Sequence, residues 1–115
     1  MKIEVSNGEI LDKVSILEIK LERILDLEKV RNIRKEYAAL QNAVQHIETL
    51  VSNLEEYSQA TAELRSTNEA LWDVEDALRL KEKARDFGDT FITLAREVYV
   101  LNDRRAVLKS TINNL

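Results

Sequence analysis

Val30, Ile33, Tyr37, Leu40, Val44, Ile47, Val51 and Leu54 recur at alternating steps of three and four, laying one unbroken apolar seam along a helix. A seam of that length needs another helix to cover it. The chain has no Pro and only two Gly, so obligatory breaks are few, and long helices are favoured over a sandwich or barrel with many turns. The expected fold is all-α: an antiparallel helical bundle of three to four long helices, one domain over residues 1–115. Met1, Ile3 and Val5 alternate with Lys2 and Glu4, which adds a short N-terminal strand or arm to that expectation.

The chain has no Cys, which removes disulfides, thiolate nucleophiles and zinc-thiolate sites, and suits a reducing, cytoplasmic setting. No stretch approaches the roughly 20 apolar residues of a membrane span, and residues 1–7 lack the apolar centre of a signal peptide. Seventeen basic residues against twenty-one acidic ones give a net charge of -4, opposite in sign to a phosphate-binding footprint. Neither a membrane nor a nucleic acid is expected as a partner.

Ser6 followed by Glu9 reads as a capping box that starts helix one near Gly8. Ile10, Val14, Leu17, Leu21 and Ile24 form its seam, widened by Leu11 and Leu25 so that it faces two neighbours. The phase then slips, because the same steps would bring Glu28 and Arg31 onto the seam; a tight turn capped by Asp26 accounts for this, and one continuous, locally unwound helix is the alternative. Helix two ends around Val51, with a second capping box at Ser52 and Glu55. Helix three is expected from about Asn53 to Arg85, stopped by Gly88, and Asp89 caps helix four, whose apolar side holds Phe91, Leu94, Val98, Leu101, Leu108 and Ile112. Seams this long are hard to cover within one small chain, so a homodimer is expected, together with an as yet unidentified protein partner.

Polar residues interrupt the apolar arcs in the second half of the chain. At about 100° per residue, Asn68, Glu75 and Glu82 point toward the core side of helix three, with Trp72 and Arg79 continuing the stripe outward. Arg105 falls in the middle of the apolar arc of helix four, with Asn102, Lys109 and Asn113 along the same edge. A guanidinium there needs a carboxylate, since burying it unpaired costs several kcal/mol. If helices three and four fold back on each other, Asn68, Trp72, Glu75, Arg79, Asn102, Arg105 and Lys109 form one polar cluster, and an electropositive, aromatic-edged pocket of that kind suits an anionic or sugar-like ligand. A structural ion-pair network that sets helix register is the commoner use of such residues.

No metal or cofactor is expected. His46 lacks ligand neighbours at helical spacing, and the Glu-x-x-His signature of di-iron bundles is missing. Glu9 with Asp12, and Asp73 with Asp76, have the i, i+3 spacing of some magnesium sites, but among 21 acids such pairs arise by chance. The start Ser6-Asn7-Gly8 resembles an anion cradle, yet Glu9 would repel an anion and capping already accounts for these residues. No Ser, Thr or Lys has a base partner for nucleophilic catalysis, and Arg31, Arg34 and Lys35, interspersed with Glu28 and Glu36, read as a solvated face.

Three blocks, VSNGEILDKVSILEIKLERI, LWDVEDALRLKEKARDF and FITLAREVYVLNDRRAVLKSTIN, stand at the start, middle and end of a likeness that covers nearly the whole chain. They resemble a small bacterial and phage all-helical family, about 115–120 residues long, whose domain is of unknown function. The resemblance implies no catalytic residue, and it tilts the ligand expectation toward sugar nucleotides. The reading that results is a helical interaction or assembly module without enzymatic activity of its own. The alternative is a small all-α enzyme or binding protein for a phosphorylated or sugar-nucleotide-like metabolite, with Arg79, Arg105 and Lys109 as anion clamps and Glu75 as acid or base.

Overall fold

The structure is a computed structural model that describes residues 5–115. It consists of α1 (Asn7–Arg23), α2 (Leu27–Leu50), α3 (Leu54–Lys83) and α4 (Asp89–Asn113), and no strand occurs among the described residues. The strand or arm expected at the N-terminus falls on residues 1–5, of which 1–4 lie outside the described residues, and Val5 is not part of a strand.

α1, α2 and α3 each start where a side chain satisfies free backbone amides. The Ser6 hydroxyl accepts from the Glu9 amide at 3.3 Å, and the Asp26 carboxylate accepts from Glu28 and Lys29 at 3.0 and 3.1 Å. Asp26 therefore separates α1 from α2, and the continuous-helix alternative falls away. Two caps differ from the sequence-based reading. The cap of α3 is Asn53, which accepts from the Glu56 amide at 3.1 Å, one residue beyond the expected Ser52. Gly88, not Asp89, occupies the cap position of α4, without a side-chain hydrogen bond.

α3 ends two residues earlier than expected, and Gly88 is not its terminator. Arg85 takes the left-handed conformation at φ 54°, its amide donates to Glu82 O at 3.1 Å, and the Asp86 amide donates to Lys81 O at 2.9 Å. This is a Schellman closure with arginine where glycine is usual.

α1 is the hub. It packs against all three other helices, α3 pairs with α4, and α2 rests chiefly on α1. Burial follows from that position: Leu11, Asp12, Val14, Ser15, Leu17 and Ile19 are all buried, so α1 hides most of its circumference. Leu11, Ile47, Tyr57, Ala60, Leu64, Leu108 and Ile112 form the main core cluster, where the end of α2 meets the start of α3 and the end of α4. The long seam of α2 is covered only in part. Ile33 and Ile47 are buried, whereas Val30, Tyr37, Leu40 and Val44 are half-buried and Leu54 belongs to α3 and is exposed.

The helices are unequal in length, and this shapes the molecule. α1, with 17 residues, is about 26 Å long, while α3, with 30, is about 45 Å at 1.5 Å per residue, close to the 48 Å long dimension of the whole. The last turn of α1 reaches α3 where Arg23 bonds Asp73. From there α3 runs on to Lys83, so the tip of the α3–α4 hairpin projects past α1 as an arm on which Leu80, Phe87 and Ile92 are exposed.

Candidate functional site

Three helices converge on one buried carboxylate. Asp12 is 4% exposed, and Arg105 of α4 grips it with both arms of its fork: Nε donates to Oδ1 at 2.7 Å and Nη2 to Oδ2 at 2.5 Å. From α3, Asn68 Nδ2 donates to Asp12 Oδ1 at 3.0 Å and to Ser15 Oγ at 2.7 Å, and the Ser15 hydroxyl in turn donates to Asp12 O at 2.7 Å. Burial alone would raise the Asp12 carboxyl, but hydrogen bonds from Arg105 and then Asn68, with the charges of Arg105 and Lys109, hold it below the ordinary carboxylate value. The Asp12 hydrogen bond likewise outweighs desolvation and raises Arg105.

Neighbouring turns extend the attachment of α1 to α4. Lys109 Nζ bonds Glu9 at 2.8 Å, and the Gly8 amide donates to Asn113 Oδ1 at 2.7 Å. α4 thus supplies both a cation for the first turn of α1 and an acceptor for one of its free amides. Glycine is required at position 8 for closeness: a Cβ there would lie 2.4 Å from the Lys109 carbonyl oxygen. The Ser6 capping box is consequently only half formed, because the Glu9 carboxylate bonds Lys109.

The seven residues of the expected cluster separate into groups. Asn68, Trp72, Glu75 and Arg105 come together around a small hollow of about 180 Å³ with Ile16, Ile19 and Leu71. Arg105 and Asn68 turn inward to Asp12, whereas Glu75 is exposed at the rim. Trp72 lies under Arg23, whose guanidinium carbon is 5.9 Å from the ring centroid. Lys109 sits one turn away on Glu9, Asn102 is exposed, and Arg79 is exposed and bonds Asp76 on its own helix at 2.8 Å. The carboxylate that Arg105 requires comes from α1, not from the opposite stretch of α3.

Asp12 and Ser15 are the residues that the apolar seam of α1 did not reveal as inward-facing. Gly8, Asp12 and Ser15 are spaced by four and three, a helical stripe of small and polar positions beside the apolar one, which Ile19 continues as an apolar residue. Chemically the arrangement is closed. Asp12 is tied to a guanidinium and is not a free base, Arg105 and Lys109 each hold a carboxylate, and among the described residues no buried side-chain polar atom lacks a partner. No group of three or more potential metal ligands occurs among the described residues, and Glu9 and Asp12 spend their charge on Lys109 and Arg105.

A second feature lies on the other side of α3 and α4. Ala70 and Val74 of α3 with Thr93, Val100 and Leu101 of α4 line an apolar groove of about 520 Å³, flanked by Arg96 and Glu97. Asp12, which marks the side covered by α1, bonds Arg105. Val100 lies roughly 140° from Arg105 around α4, so the groove opens away from α1.

A family model described as a family of unknown function (DUF6165) matches residues 1–115, the whole chain. No curated protein and no solved structure matches it.

Proposed function

We propose that this chain, which belongs to the family of unknown function DUF6165 along its whole length, is an assembly module that self-associates through the uncovered side of its α3–α4 hairpin. The observation that carries this reading is the apolar groove between α3 and α4, left open on the side away from α1. Val100 is 62% exposed and Tyr99 71%, with Ile92 and Val107 also exposed, so α4 offers apolar side chains far round its circumference while only one arc of it is packed. Helices of that composition are normally enclosed.

The size of the surface suits a second copy. A 25-residue α4 is about 37 Å long, and two helices side by side are roughly 20 Å across, which gives a face of some 700 Å². A standard interface buries about 800 Å² per partner. Sedimentation velocity across the micromolar range tests the reading: the intact chain should be dimeric, and Val100→Asp with Val107→Asp, both exposed on α4, should be monomeric at unchanged helix content. A monomer at high micromolar concentration would refute it. The node around Asp12 acts in this reading as the lock that holds α1 on the opposite side and leaves the groove open.

A further inference from the structure

α2 meets α1 with the side that carries Ile33, Tyr37, Val44 and Ile47. Its opposite side carries Arg31, Arg34 and Lys35, which with Leu27, Val30 and Ala38 line a shallow hollow of about 530 Å³. Arg31 lies roughly 160° from Ile33 about the helix axis, pointing directly away from α1. Among the described residues none of these three cations forms a salt bridge, nor do Lys20, Lys29, Lys83, Arg85 and Arg96, whereas Lys13, Arg23, Arg65, Arg79, Lys81, Arg104, Arg105 and Lys109 do. Like charges at i, i+3 and i+4 work against the helix that carries them. Of the nearby carboxylates Asp26 is engaged as the helix cap and Glu36 bonds Lys13, which leaves Glu28 alone to face three cations.

Beside these cations stand the most exposed large apolar side chains of the described residues. Leu25 is 90% exposed and Leu27 85%, and they flank Asp26 in the turn that leads into α2. Every residue that lines the hollow belongs to α2. It therefore lacks the second wall that a docked partner helix would need.

We infer that this side of α2 lies on an anionic lipid surface. A single convex helix with protruding leucines and a row of unpaired cations fits a flat, deformable, negatively charged partner: the leucines enter the boundary between headgroups and acyl chains, while the long Arg and Lys stems keep their charges at the headgroups. Nucleic acid would engage the cations but give the leucines no apolar partner. This is a contact with the surface and not a span, and no helix among the described residues is long and apolar enough to cross a membrane. It revises the expectation of no membrane partner, which rested on the lack of a spanning segment. The surface lies across α1 from the α3–α4 groove, so it stands whether or not the chain self-associates.

Co-sedimentation of the full chain with vesicles tests the inference. Binding is expected to vesicles of phosphatidylcholine with about a third phosphatidylserine and not to phosphatidylcholine alone, and it should weaken as salt rises. Arg31→Glu with Arg34→Glu and Lys35→Glu should lower binding by about tenfold or more, and Leu25→Ser with Leu27→Ser by severalfold, both with unchanged helix content. Three results would overturn the inference: no binding to anionic vesicles, binding that both variants retain, or binding that responds to the charge reversal but not to the leucine changes, accompanied by equal affinity for a single-stranded oligonucleotide.

Discussion

At the residue scale, the Asp12–Arg105 pair decides more than any other contact. Asp12 is 4% exposed and the Arg105 side chain 28%, so removing either partner strands the other's charge in a largely dry site. Asp12→Ala and Arg105→Ala should each cost about 3 kcal/mol in urea unfolding, and the double variant should cost clearly less than their sum. The sign with pH follows from the lowered Asp12 carboxyl: its contribution is complete above the unfolded value near 4 and is lost as pH falls through the native value, so Asp12→Ala should flatten the acid limb of the stability curve. Tyr57 works at the other end of the scale, since burial and then the charge of Glu48 push its phenol up to about 12. Folding favours the neutral ring, so the stability it lends is whole below about pH 10 and fades as pH rises to about 12. Tyr57→Phe should remove that alkaline loss, measurable as thermal midpoints between those two values. The need of Arg105 for an acid was readable from its place on an apolar arc, but the donor was not. A helix surrounded by three neighbours buries polar positions that a single seam counts as outer ones, and Asp12 is such a position.

At the element scale, the sequence disclosed all four helices and the break at Asp26, because caps and phase slips are local events that a short window contains. The end of α3 was less legible. Gly88 carried the expected signal, yet the left-handed residue is Arg85, which has no sequence mark and adopts that conformation at a cost of roughly 1 kcal/mol. Arg85→Gly should therefore raise stability by about 0.5–1 kcal/mol, seen as a higher denaturation midpoint at unchanged slope. Azimuth alone puts Arg79 in the polar cluster, and azimuth does not reveal that α1 ends too early to cover it. Beyond Asp73 the side of α3 that pattern reading calls inner has no third helix to face.

At the scale of the whole molecule, an all-α single-family chain was legible, while the order of packing was not, since amphipathic stripes state that a face is covered without naming what covers it. The layered result, α2 on α1 on an α3–α4 pair, leaves one side of the pair open and the arm beyond α1 thinly supported. Amide exchange should show this difference. In the Val100→Asp, Val107→Asp variant the arm, residues 76–98, should exchange well ahead of α1, and in the intact chain the two should converge if it associates as proposed. Equal protection of the arm in both would count against the open side as the surface of assembly.

The bonds from Gly8 to Asn113 and from Asp12 to Arg105 span 105 and 93 residues of chain. During synthesis α1 thus has to wait for α4 before its buried acid finds a counterion. Until then the nascent chain holds an unfinished hairpin, and loss of even the last few turns of α4 would leave α1 without its anchor.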